Sequence, residues 1–173
     1  MSYTQPERGD REAQAMDDGS QVVASTPDGS VILDLIPCDP APHGPLIRAW
    51  SHDNFAALME RTVGWDEERN QEEPRVPERY RMVQGRNELI GCLAVREEGD
   101  TLYLQTIQLV PTRRGRGYGT TLLHHVERIA RARGLRRVRL RVYKENPAYH
   151  WYRRNGYRVT QVERHSLIME RDV

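Results

Sequence analysis

Apolar and polar residues follow two different rhythms along this chain, and each change of rhythm marks an element. From Ser30 the run Val31-Ile-Leu-Asp-Leu-Ile36 predicts a strand stopped by Pro37, and the Pro/His/Gly stretch from Pro40 to Pro45 predicts a loop. Leu46, Ile47, Trp50, Phe55, Leu58 and Met59 fit one face of a helix broken near Ser51 to Asn54, and a second short helix is expected from Trp65 to Gln71. Strands are expected at Arg79 to Gln84, Glu88 to Val95 and Thr101 to Val110. Gly85-Arg86-Asn87 and Glu97-Glu98-Gly99-Asp100 between them carry the turn chemistry of antiparallel hairpins, so the three form a meander.

Leu122, Leu123, Val126, Ile129 and Ala130 then trace an apolar stripe along a helix that should end at Gly134. Val138, Leu140 and Val142 alternate with arginines in a strand. Pro147 to Arg154 reads as a short helix capped by Asn146 and ended near Gly156, and strands at Tyr157 to Glu163 and Ser166 to Glu170 close the chain. No internal repeat is present.

Length fits these elements into one domain over residues 30–173 of the 173-residue chain, because single domains commonly hold roughly 100 to 200 residues. Residues 1–29 are rich in Gln, Asp, Glu, Ser and Gly, with Val22-Val23 as the one adjacent pair of β-branched apolar residues, and read as a disordered tail. No apolar run is long enough for a membrane span. The start MSYTQPERGD lacks a secretory profile, so a cytoplasmic protein is expected. Cys38 and Cys92 lack the spacing of a zinc site, and Cys92, inside an apolar strand beside Gly91, reads as a small buried hydrophobe; no metal is expected. A net charge of +1 excludes a chain-wide polyelectrolyte and leaves only a local basic patch, the ten arginines set against Glu127 alone between Arg113 and Arg141.

The chemistry concentrates in Arg114-Gly-Arg-Gly-Tyr-Gly119, which follows a strand and opens a helix. Glycines at 115, 117 and 119 permit positive φ and close approach, so successive N–H groups can turn inward as an anion nest, aided by the positive end of the helix dipole. Arg114 and Arg116 would add charge at its rim. A P-loop would need a lysine where Thr120-Thr121 follows Gly119, and a dinucleotide fingerprint would need G-x-G-x-x-G in a parallel βαβ unit; neither condition is met. A glycine turn that merely starts a helix is the alternative for the loop taken alone.

This loop resembles the Q/R-x-x-G-x-G/A segment of the Gcn5-related N-acetyltransferases (GNAT). About thirty residues later Asn146-Pro-Ala-Tyr-His-Trp-Tyr-Arg-Arg-Asn-Gly-Tyr157 resembles that family's N-P-A-x-x-x-Y-x-x-x-G-F/Y segment. The resemblance implies an α/β fold of α+β type: a mostly antiparallel, splayed mixed sheet of six to seven strands with helices on both faces. It further implies acetyl-CoA as co-substrate, bound by Arg114, Gly115, Arg116, Gly117, Tyr118, Gly119 and Thr120 with Asn146 and Tyr149, and a backbone N–H at Leu109 or Val110 donating to the thioester carbonyl where the strand bulges. Tyr152 matches the family's general acid, its ordinary pKa of about 10 keeping it able to donate to the leaving thiolate. Packing of Tyr152 into the core beside Tyr149 and Trp151 is the competing reading. The strand Tyr103-Leu-Gln-Thr-Ile-Gln-Leu109 offers glutamines at 105 and 108 where many family members place a glutamate. Glu67, Glu68, Glu163 or His165 acting through water are then the candidates for the base.

The function so implied is acetyl transfer to a primary amine of a small molecule or protein, directly in a ternary complex, by a monomer or homodimer. A coenzyme-binding regulatory module without turnover and an arginine-driven nucleic-acid binder are the two other classes the residues leave open.

Overall fold

Arg86 and Asn87 both sit in the left-handed region, at φ 53° and 65°, the conformation of a tight hairpin turn whose twist matches its strands. They join β3 (Tyr80–Gly85) to β4 (Glu88–Glu98), and Gly99 at φ 62° leads β4 into β5 (Thr101–Leu109). The computed structural model describes residues 22–26, 29, 32–62 and 80–173. Before this meander come β1 (Val22–Ser25), β2 (Ile32–Pro37) and helix α1 (Pro40–Thr62). After it come a 3-10 turn (Pro111–Arg113), α2 (Tyr118–Ala132), β6 (Arg137–Tyr143), α3 (Ala148–Arg154), β7 (Arg158–Val162) and β8 (Ser166–Asp172).

The described residues form one eight-stranded sheet in the order β1-β2-β3-β4-β5-β6-β8-β7, antiparallel everywhere except between β5 and β6. The class is the mixed, mostly antiparallel one expected from the sequence, with eight strands rather than six or seven. Four further expectations are corrected. Val22–Ser25, assigned to a disordered tail, pairs with Ile32–Leu35, while residues 1–21 lie outside the described residues. Pro37 closes β2 rather than stopping it short, and Pro40 to Pro45 is helical. The latter follows from its cap. The Ala41 amide donates to Asp39 Oδ1 at 3.1 Å and the Asp39 amide donates to His43 Nδ1 at 2.9 Å, while Pro40 needs no donor in a first turn. The helix also runs unbroken through Ser51 to Asn54. The helix expected from Trp65 to Gln71 lies outside the described residues.

Alternation along the strands divides the core in two. Leu33, Leu35, Val83, Leu93, Leu140 and Met169 pack with Leu122, Val126 and Ile129 of α2 and Tyr152 of α3, while Met82 and Cys92 pack with Ile47 of α1. Each such leucine contributes about 1.5–3 kcal/mol by leaving water, so the α2 side carries most of the stability. Cys92 is fully buried, and burial pushes its thiol up to about 12, as suits an inert hydrophobe.

One irregularity opens the sheet. The β4–β5 register shifts between Ala94 and Val95, which face Thr106 and Leu104, so Gln105 is an extra residue on β5, a bulge that bends its far half. Parallel pairing of β5 with β6 accordingly covers only Thr101 to Leu104 against Arg137 to Leu140. Beyond that point β5 stays with β4, β6 stays with β8, and a gap opens between them.

Candidate active site

The gap is edged by main chain. Val110 donates its N–H to the Ile90 carbonyl at 2.9 Å. Bonded and non-bonded pairs alternate along an antiparallel ladder, so at the adjoining Gly91–Leu109 rung the Leu109 N–H turns away from β4 and into the gap. Of the two amides expected to face a thioester, Val110 is therefore already bonded inside the sheet, and Leu109 is the open one. Gly91 makes the local approach possible: a Cβ there would lie 2.0 Å from the Gln108 carbonyl oxygen, which would force β4 off β5.

The glycine loop lies just past the end of β5. Gly115 and Gly117 have φ of 71° and 82°, and Gly117 is the N-cap of α2. The first helical bond runs from the Thr121 amide to the Gly117 carbonyl at 3.0 Å. The N–H groups of residues 115–120 find no acceptor among the described residues. They are a set of donors at the positive end of a helix, which suits a phosphate group.

The arginines around the loop fare differently. Arg113 is ion-paired with Glu88. Arg114 departs from its expected place at the rim: its Nε donates to the Leu109 carbonyl at 3.1 Å and its Nη2 donates to Asn54 Oδ1. Arg116 is exposed and has no partner among the described residues, which leaves it as the cation at the rim. The wider basic patch is largely neutralised by acids of neighbouring strands, Arg133 by Glu97 at 2.7 Å, Arg139 by Glu170 at 2.6 Å and Arg141 by Glu163 at 3.1 Å.

Helix α3 packs onto the same loop. The Trp151 indole donates to Thr120 Oγ1 at 3.3 Å and its ring lies over Gly119, 3.3 Å from where a Cβ would stand. Tyr118 is half-buried against the large core cluster. Asn146 Oδ1 accepts the Ala148 amide at 2.9 Å, giving the cap expected from the sequence, and half-buried Tyr149 stands edge-on to His150 at 5.1 Å. Tyr152 is 9% exposed, its ring 4.7 Å from Trp151 and 5.8 Å from Tyr157. Its hydroxyl has no hydrogen-bond partner among the described residues, and burial raises its pKa above the ordinary tyrosine value, so it stays protonated. The ring thus packs in the core, as the competing reading has it, and the O–H is uncommitted.

The sequence reading missed Ser51 and Asn54. Gln108, 6% exposed, donates from Nε2 to Ser51 Oγ at 2.9 Å and accepts from Asn54 Nδ2 at 3.3 Å. A hydroxyl and an amide three residues apart on an otherwise apolar helix face were the available sign. Glu163 is held by Arg141 and by the Ser166 hydroxyl at 2.5 Å, and His165 is half-buried in the β7–β8 turn. Glu67 and Glu68 lie outside the described residues.

A sequence model of the acetyltransferase (GNAT) family matches residues 45–157, and the chain belongs to that family. The fold is that of GNAT acetyltransferases. The PaiA N-acetyltransferase of Thermoplasma acidophilum, solved with coenzyme A, superposes with a TM-score of 0.68 at 16% identity over 82% of this chain and 99% of that one. An acetyltransferase of Thermus thermophilus gives 0.63 at 25% identity over 82% and 97%. Arabidopsis thaliana Naa50, bound to the bisubstrate analogue CoA-Ac-MVNAL, gives 0.61 at 17% over 82% and 99%. No curated protein matches the chain by sequence.

Proposed function

We propose that this acetyltransferase moves an acetyl group from acetyl-CoA directly to a primary amine while both are bound. The observation that carries the reading is the run of unaccepted N–H groups at residues 115–120, placed at a helix N-terminus beside the gap between β5 and β6. Coenzyme A complexes of similarly folded acetyltransferases support it. In this reading the loop amides and Arg116 hold the pyrophosphate, and the pantetheine enters the gap. The Leu109 N–H donates to the thioester carbonyl, where charge develops as the tetrahedral intermediate forms. The amine nitrogen attacks the carbonyl carbon, the C–S bond breaks, and the Tyr152 O–H gives its proton to the departing sulfur. The proton released by the amine then returns the tyrosine to its neutral state through water.

Calorimetry with acetyl-CoA, followed by thiol release across a panel of primary amines, tests this. Binding in the micromolar range with amine-dependent thiol release is expected. Binding without release for any amine would make the chain a coenzyme-responsive module, and absence of binding would remove the reading.

A further inference from the structure

Arginine can only donate hydrogen bonds, and this fixes the direction of a whole chain of amides. Arg114 Nη2 meets Asn54, so the carbonyl oxygen of Asn54 must face it. The Asn54 amide nitrogen then points at Gln108 Oε1, and the Gln108 nitrogen at Ser51. The result is a continuous relay from the glycine loop, across α1, to a buried side chain of β5. Meanwhile Arg114 Nε holds the Leu109 carbonyl at 3.1 Å.

The peptide joining Leu109 to Val110 is thereby gripped on both sides, its oxygen by Arg114 and its N–H by Ile90. The preceding residue is anchored through its side chain to Ser51 and Asn54. The open Leu109 N–H lies between two pinned points. An oxyanion donor is effective in proportion to how little it must reorganise, so fixing this amide lowers the barrier without touching the coenzyme.

We infer that Arg114 and Asn54 are positioning residues: they lock the β5 terminus, and with it the Leu109 amide, against α1, and Arg114 is not a phosphate ligand. The inference rests on the acetyl-CoA reading given above. Arg114 also ties the glycine loop to the helix that overlies β5, since the same arginine touches both.

The test needs no identified acceptor. Thiol release from saturating acetyl-CoA in water alone, with water as the acyl acceptor, requires the same carbonyl polarisation, and calorimetry with coenzyme A reads binding separately. Arg114→Met keeps the aliphatic stem and removes every donor; it should slow thiol release at least tenfold while the coenzyme A dissociation constant changes less than threefold. Asn54→Leu should lose rate in the same way. Asn54→Asp keeps an acceptor for Arg114, and a turned-over Gln108 amide can donate to the new carboxylate while its oxygen accepts from the Ser51 hydroxyl, so most of that loss should be recovered. Hydrogen exchange of the segment 104–113 should quicken in Arg114→Met and Asn54→Leu, a change that loss of a phosphate contact would not produce. A tenfold weaker coenzyme A complex with unchanged saturating rate in Arg114→Met would overturn the inference and leave the acetyl-CoA reading standing. A wild type that binds no coenzyme A would remove both.

Discussion

Helix α2 carries polar groups at its start and in its second half, and the two regions differ in whether those groups are spent. Glu127, almost fully buried, accepts from Arg171 at 2.8 Å and from the Tyr157 hydroxyl at 3.3 Å, while the same Arg171 nitrogen also reaches the Asn155 carbonyl at 2.9 Å. That cluster ties α2 to the turn after α3 and to β8. At the N-terminus, the amides of residues 115–120 and the Arg116 guanidinium have no partner among the described residues. A closed cluster contributes to folding, whereas an open one at a helix start is available to a ligand. The contrast separates the acid and arginine that build the molecule from the arginine that faces outward.

Disabling the open end should have the largest effect. Gly117→Glu puts a side chain and a negative charge into the nest at φ 82°, and calorimetry should show coenzyme A affinity reduced at least a hundredfold, with circular dichroism unchanged. Strain at positive φ would cost about 1–2 kcal/mol of stability, small beside the binding loss. Opening the closed end should do the reverse. Glu127→Leu strands Arg171, and because that arginine is partly solvated the loss in urea unfolding should be about 2–3 kcal/mol. Coenzyme A affinity should stay within threefold; a large affinity loss would mean the two regions are not separable.

Tyr152→Phe sharpens the comparison at the neighbouring helix. It removes an uncommitted hydroxyl and keeps the buried ring, so turnover should fall about ten- to a hundredfold, about 1.4–2.7 kcal/mol, with little change in melting temperature or coenzyme affinity. Full turnover would assign the proton to another group.

His125 lies between the two regions of α2, with Nδ1 beside Arg128 at 3.1 Å and a buried Nε2 that has no partner among the described residues. Burial first, then Arg128, lowers its pKa to about 3. An unfolded histidine takes up its proton near 6.5, so between 6.5 and 3 the unfolded chain binds the extra proton and stability falls as pH drops. At pH 5 the loss should be about 2 kcal/mol relative to pH 7, and His125→Leu should flatten that part of the profile in denaturant titrations. A slope that persists in the variant would place the sensitivity elsewhere.

Much of this arrangement was legible in the sequence because local chemistry dictated it. Positive φ at Gly115 and Gly117, the apolar stripe from Leu122 to Ala130 and the hairpin turns all depend on residues close in the chain. The strand at Val22–Ser25 was not legible, since so short a segment owes its conformation to pairing with Ile32–Leu35. The helical start at Pro40 was legible in principle, through Asp39 before a proline, but the clustered prolines outweighed that sign. The side chain of Arg114 was beyond the motif's reach. A glycine pattern specifies where a backbone goes, and the destination of an arginine sixty residues away from Asn54 depends on how α1 crosses β5.

The short parallel seam from Thr101 to Leu104 has a mechanical consequence. Among the described residues, the sheet joins the β1–β5 leaf to the β6–β8–β7 leaf through those rungs and the adjoining Arg136–Asp100 bond, so the fold is cleft like a partly opened book along its own spine. A cofactor lying in the cleft would act as mortar between the leaves. Heating the apo protein should let them part first, and the same molecule filled should melt as one.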